Sequence, residues 1–202
     1  MKKIKQIKFK EELYELYESN LNEDIKCFIK KVFKEKYFAD VNYFQKKFLV
    51  LSKDSKIVSL IGYKQLDEHK SLIENYTKKP LEFSLPYITT RNKIIEIGNL
   101  SSEVKGLGQY IIFLLIEHLK NQQYEWLFLT APQKILNIMK KFNLNFELLV
   151  EAKLEDLDLE QQINWGTYYE QKPYVIALDI SYNKTKLTKP KETNYEKLPI
   201  VA

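Results

Sequence analysis

The chain has five glycines in 202 residues, and three of them fall in one stretch, "IIEIGNLSSEVKGLGQYIIFLLIEHL", residues 94–119. No other feature constrains the fold as much. An apolar run with β-branched residues gives way to Gly106-Leu107-Gly108 and then to a run at helical spacing that is apolar nearly all round. The first part has strand character and the last has helix character. A helix that is apolar on every side has to be buried. The first turn of such a helix carries unsatisfied N–H groups and a partial positive charge, and glycine lets a ligand approach the backbone closely. Together these features make an anion site, most often for phosphate. The spacing excludes two familiar phosphate motifs. The third glycine of a dinucleotide fingerprint would be Ile111, and no Gly-Lys-Ser/Thr follows. Taken alone, the pattern reads equally as a tight turn and a helix entry.

The rest of the chain supplies the sheet around this unit. Ile4, Ile7 and Phe9 suggest a first strand, and residues 10–19 read as helical. Asn22 reads as an N-cap, followed by Ile25, Phe28, Ile29, Val32 and Phe33 at helical spacing. Residues 47–65 read as a hairpin with a polar turn at 52–55, and 66–90 as short pieces broken by Pro80 and Pro86. After the central strand and its helix come a strand ("YEWLFLT"), a helix entered at Pro132, and two strands ("NFELLVEA", "KPYVIALDI"). Helical connections imply parallel neighbours and the hairpin implies antiparallel ones. The expected class is α/β, with a mixed, mostly antiparallel central sheet flanked by helices. Residues 1–180 form a single domain in this reading, and the Pro- and Lys-containing residues 181–202 form a basic tail that is extended or disordered.

Several functions are argued against. The net charge of +5 resides in the ends, with five lysines in residues 1–10 and five in 181–202, so the body is close to neutral and nucleic acid is not an expected partner. The basic ends suit at most a weak attraction to an acidic carrier protein or an anionic lipid. One cysteine, Cys27, excludes an internal disulfide, and its place beside apolar helix positions reads as a buried thiol. With His69 and His118 far apart, no metal centre is expected. The basic N-terminus has no apolar h-region, and no apolar run is long enough for stable membrane insertion, so a cytoplasmic location is expected.

The strand, Gly-x-Gly and helix, preceded by a hairpin, resemble the GNAT superfamily of acyltransferases. In those enzymes the loop Arg/Gln-x-x-Gly-x-Gly/Ala holds the pyrophosphate of coenzyme A. Here the loop is Glu103-Val104-Lys105-Gly106-Leu107-Gly108, with an acid at the first position and Lys105 partly offsetting it. Three further segments, "IIEIGNLSS" with Arg91 before it, "YEWLFLTAP" and "WGTYYEQKPYVIA", resemble the thermostable hemolysin family in order and spacing over residues 25–180. That family is similar in fold to GNAT enzymes and, more distantly, to acyl-homoserine-lactone synthases, whose acyl group comes from acyl carrier protein. The resemblance implies a GNAT-like fold and an acyl-CoA or acyl-phosphopantetheine donor, with acyl carrier protein as a candidate partner.

Candidate site residues follow from both lines. Strand alternation puts Glu96, Gly98 and Leu100 on one face. An acid in a central strand is costly unless paired or functional, so Glu96 reads as a general base or as an ion pair, for instance with Arg91. Gly98 suggests a bulge or a close ligand. The resemblance gives Leu100, Ser101 and Ser102 to the pantetheine arm, and Lys105, Gly106, Leu107, Gly108 and Gln109 to the phosphate. Arg91 suits a carboxylate or phosphate, or a salt bridge. Glu74 suits acceptor binding or is a solvated charge. Trp165 and Tyr168 suit a wall for the acyl chain or acceptor, or plug a core edge. The tyrosine expected as acid in GNAT enzymes is missing from residues 132–142, so Tyr168 or Tyr169, with Tyr169 preferred, would protonate the leaving thiolate. The leading expectation is an acyltransferase acting on an amine or hydroxyl of a small acceptor. The alternatives are a membrane-active haemolytic protein and a catalytically inactive GNAT-like binding module.

Overall fold

The computed structural model describes residues 1–67, 69–120 and 122–180. The expected tail, 181–202, lies outside the described residues. Eight strands form one sheet in the order β1-β2-β3-β4-β5-β6-β8-β7. They are β1 (Lys2–Phe9), β2 (Glu12–Asn20), β3 (Lys47–Lys53), β4 (Lys56–Gln65), β5 (Ile94–Ser102), β6 (Trp126–Ala131), β7 (Phe146–Glu151) and β8 (Tyr174–Asp179). Only β5 and β6 are parallel. Helix α1 (Glu23–Tyr37) joins β2 to β3, and a single turn, α2 (Glu74–Thr77), lies between β4 and β5. Helices α3 (Leu107–Leu119) and α4 (Gln133–Lys141) flank β6, and a second single turn, α5 (Leu159–Gln162), precedes β8.

The helix expected over residues 10–19 is instead strand β2. Its side chains alternate, with Tyr14 and Leu16 buried and Leu13 exposed, which is the period of a strand. Lys10 and Glu11, both at positive φ (47° and 61°), turn β1 back onto β2. This left-handed pair needs no glycine or asparagine here, so the usual hairpin signal is missing. The lysines of β1 pair with acids: Lys3 with Glu15, and Lys8 with Glu11 at 2.8 Å. Charged side chains of this kind blunt an edge strand. The β3–β4 hairpin is as expected, with Asp54 and Ser55 at its turn. Of the parallel neighbours expected in the second half, β5–β6 is present. β7 instead pairs antiparallel with β8, because the connection from β6 through α4 skips one place in the sheet and β8 fills it, between β6 and β7.

The two faces of the sheet carry different cores. Helix α3 packs on one face with Leu107, Ile111, Leu115 and Ile116 against Leu49, Ile61, Ile95 and Leu127. On the other face α1 sets Ile25, Ile29, Val32 and Phe33 over Phe48, Val50 and Leu60. The α1 boundaries are those its sequence encodes: Asn22 accepts the Ile25 N–H at 3.0 Å, and Glu23 and Asp24 fill the first turn. Cys27, expected to be buried, is exposed on the outer side of this helix. Beside α1, the segments around α2, Trp165 and Tyr169 cover Ile94, Trp126 and Phe128.

Candidate active site

Strands β5 and β6 pair over only three positions, Ile94–Trp126, Ile95–Leu127 and Glu96–Phe128. Beyond Glu96 both strands continue, but they no longer pair with each other. A cleft of about 980 Å³, counting its open mouth, occupies this divergence. Its wall combines Ile97–Leu100 of β5, Leu129 and Thr130 of β6, Ile112 and Ile116 of α3, Tyr37 of α1, Tyr43, Gln45 and Trp165 from irregular segments, and Tyr168 from a short 3-10 turn. Mostly apolar lining with a few convergent polar groups is the usual make-up of a small-molecule site.

Glu96 sits where the strands part. It is 2% exposed. Its Oε1 accepts from Gln45 Nε2 at 2.9 Å and from the Tyr43 hydroxyl at 3.2 Å. Its Oε2 accepts from the Ser71 hydroxyl and lies 3.3 Å from Lys64 Nζ. Lys64 also donates to the Tyr43 hydroxyl at 2.6 Å. The ion-pair partner is therefore Lys64, opposite Glu96 on β4, and not Arg91. A buried carboxylate needs such a set of donors to be tolerated. Burial first, and Glu96 second, push the Tyr43 pKa up, so its hydroxyl remains a donor.

The strand end is shaped by a bulge. Leu60 pairs with Ser101 and Gly62 with Gly98, so Asn99 and Leu100 together oppose Ile61. The irregularity expected at Gly98 lies one residue later, at Asn99, whose φ is 52°. The Asn99 side chain clips the segment before β3: its Nδ2 donates to Tyr43 O at 2.9 Å, and its Oδ1 accepts from Gln45 N at 2.8 Å. Ser101 O accepts from Ser59 at 3.2 Å, and Ser102 O from Lys36 Nζ at 2.9 Å.

The loop from Glu103 to Gly108 enters α3 through Gly106, whose φ of 92° suits glycine. Leu107 N bonds Val104 O, and Gln109 N and Tyr110 N both bond Gly106 O, at 3.1 Å each. The side chain of Glu103 turns to Lys31 of α1 at 2.7 Å. The acid at the loop's first position is thus neutralised by a lysine from another element. Lys36, from the same helix, lies beside the loop as well, and neither lysine was singled out in the sequence.

Arg91 and Glu74 meet each other and do not line the cleft. Arg91 Nη1 and Nη2 donate to the two oxygens of Glu74 at 2.5 and 3.0 Å, and Nη1 also to Glu82 at 3.0 Å. Glu74 accepts in addition from Ser71 N at 2.7 Å and Leu81 N at 3.0 Å, and it is buried rather than solvated. Arg91 also donates to Asp67 O and His69 O. The cluster staples Asp67, His69, Glu74 and Glu82 to the start of β5.

The aromatic turn is anchored on α1. Gly166 has a φ of 50°, and a Cβ there would lie 2.0 Å from Tyr37 O. The next residue, Thr167, donates its N–H to that oxygen at 2.8 Å. This docks Tyr168 edge-on to Tyr37, with its hydroxyl 3.3 Å from Thr130 Oγ1. Tyr168 and Trp165 line the cleft. Tyr169 faces the other way, bonded to the Tyr76 hydroxyl, with its pKa pushed up to about 12 by burial. Sequence reasoning missed Tyr43, Gln45, Lys64 and Ser71. The available signal was Gly62, a glycine inside a hairpin strand.

In this fold the chain is similar to LasI, an AHL synthase (TM-score 0.55, 11% identity, covering 83% of this chain and 89% of that one). It is also similar to FeeM, an N-acyl amino acid synthase from uncultured soil microbes (TM-score 0.57, 8% identity, 85% and 94%). A third similar structure is a protein from Lactobacillus plantarum assigned as an N-acetyltransferase (TM-score 0.52, 9% identity, 83% and 98%). These likenesses establish the GNAT-like fold. No curated protein matches the sequence. The family model for thermostable hemolysin matches residues 17–183, so the end of strand β2, the cleft and the aromatic turn fall within it, and the chain belongs to the thermostable hemolysin family.

Proposed function

We propose that this protein is an acyltransferase, moving an acyl group from a phosphopantetheine thioester (of coenzyme A or of acyl carrier protein) to an amine or hydroxyl of a small acceptor. The observation that carries the reading is the parting of β5 and β6 at Glu96. Beyond Glu96 the β6-facing side of β5 has no strand partner, which suits an extended ligand taken as an added strand. The pantetheine arm would lie along Leu100, Ser101 and Ser102, and the phosphate beside Lys105, Gly106, Leu107, Gly108 and Gln109, with Lys36 adjacent. The thioester would then reach the cleft near Glu96. The acceptor's lone pair forms a bond to the thioester carbonyl carbon, its proton passes to Glu96, and the C–S bond breaks with its electron pair on sulfur. Of the two tyrosines, Tyr168 lines the cleft and is the donor to the leaving thiolate. Burial pushes its pKa up, which keeps it protonated.

Native mass spectrometry against a panel of acyl-CoAs and acylated carrier proteins tests this function. A 1:1 complex with at least one donor is expected. Failure of every donor to bind would overturn it.

A further inference from the structure

Gln45 is buried to 1% exposure although it lies on an irregular segment, between α1 and β3. Its side chain crosses the sheet over Gly62 and Gly98, which pair directly on β4 and β5. A Cβ at position 62 would lie 2.8 Å from Gln45 Cβ, and one at position 98 would lie 2.9 Å from Gln45 Nε2. Neither glycine has a positive φ, so each supplies room rather than backbone freedom. Two of the chain's five glycines thus leave a slot for this side chain, Gly62 making room for the Phe48 ring as well.

The amide can sit in that slot in only one orientation. Nε2 donates to Glu96 Oε1 at 2.9 Å, and the flipped amide would set a carbonyl against a carboxylate. Oε1 is therefore directed away from Glu96. It is buried and has no hydrogen-bond partner among the described residues. A buried, unpaired acceptor is costly and calls for an explanation. Gln45 lines the cleft beside Glu96.

We propose that Gln45 Oε1 is the hydrogen-bond acceptor for the substrate's nucleophilic nitrogen, so that the site selects a primary amine over an alcohol. This rests on the acyltransferase reading. A neutral primary amine has two hydrogens and a lone pair. One hydrogen goes to Gln45 Oε1 and the other to Glu96 Oε1 in place of the Tyr43 hydroxyl, the longer of the two hydrogen bonds that oxygen accepts, and the lone pair is left to attack the thioester. As the N–C bond forms, Glu96 takes one proton and the C–S electron pair leaves on sulfur. The remaining N–H stays on Gln45 in the product amide. A hydroxyl has a single hydrogen, and giving it to Glu96 leaves Gln45 Oε1 unpaired; sites built around such pairs discriminate strongly.

The test compares wild type, Gln45→Met and Gly98→Ala. Methionine is close to glutamine in size and has no carbonyl oxygen, whereas Gly98→Ala keeps the amide but displaces it. Matched pairs (hexylamine and hexanol, 2-phenylethylamine and 2-phenylethanol) are used in two assays: thiol release from a panel of acyl-CoAs, and ligand-observed NMR without donor. Wild type is expected to prefer the amines. Gln45→Met also removes the Nε2 donor to Glu96 and so affects both members of each pair; the share due to Oε1 is read as a loss for the amine, chiefly in KM, about tenfold greater than for the matched alcohol, the loss for one hydrogen bond of ~1.4 kcal/mol. Gly98→Ala should act in the same direction, and it decides the matter if circular dichroism shows Gln45→Met unfolded. Equal treatment of amines and alcohols by wild type in both assays, or a preference retained in the variants, would overturn the proposal. Amine binding that depends on Gln45, without thiol release from any donor, would uphold the Gln45 site and count against acyl transfer.

Discussion

Replacing Arg91 with methionine separates a structural staple from a substrate-binding residue. In the native structure Arg91 gives Glu74 two hydrogen bonds, and Glu74 is 6% exposed. Removing the guanidinium leaves a buried carboxylate with only the backbone N–H groups of Ser71 and Leu81. Breaking a buried pair from one side costs ~3–5 kcal/mol. The two remaining N–H donors and the 20% exposure of Arg91 place the expected loss near the lower end, about 3 kcal/mol. For a chain of this size that corresponds to a fall in Tm of roughly 6–12 °C. Urea unfolding followed by tryptophan fluorescence reports on the affected region, because Trp126 and Trp165 pack in the same cluster as Tyr76 and Leu81. The double variant Glu74→Gln/Arg91→Met removes the stranded charge. Its loss should fall short of the sum of the single losses by at least ~1 kcal/mol. Additive losses, or a single loss below ~1 kcal/mol accompanied by failure to bind any donor, would refute the staple and return Arg91 to ligand binding.

Three more outcomes are expected. Burial raises the Glu74 pKa, but Arg91 and the Ser71 and Leu81 N–H groups outweigh it and hold the value below the usual carboxylate range. A pKa depressed by folding contributes stability above the unfolded value of about 4.3 and loses it as pH falls through the folded value; urea midpoints should therefore drop in acid, and less steeply for Glu74→Gln. Gly166→Ala drives a Cβ into Tyr37 O and strains a positive φ, so it should cost at least ~2 kcal/mol in urea and weaken the docking of Tyr168 on Tyr37; an unchanged midpoint would refute the anchor. Glu96→Gln should lower acyl transfer at least ~100-fold, the lower end of what a general base contributes, while native mass spectrometry still shows donor bound; full turnover would remove Glu96 from the proton transfer.

The sequence by itself determined the elements whose signal is local. The β5–loop–α3 unit, the β3–β4 hairpin, the N-cap of α1 and the buried α3 each rest on patterns within one continuous stretch, the longest being residues 94–119, and the structure has them all. Where the local signal was ambiguous the reading failed. Residues 12–20 have helix formers and strand alternation in the same letters, and pairing with β1 and β3 decided for a strand. Only the tertiary structure decided what each candidate residue faces. Glu96 takes its partners from the segment before β3, from β4 and from the loop before α2, up to 53 residues away in sequence. Glu103, the acid at the first position of the loop, is neutralised by Lys31 on α1, 72 residues earlier. Tyr168 rather than its neighbour Tyr169 reaches the cleft because Gly166 lets the turn close on Tyr37. Such pairings depend on sheet register and on where helices cross the sheet, and these are set by the burial of the whole core rather than by the spacing of any one motif.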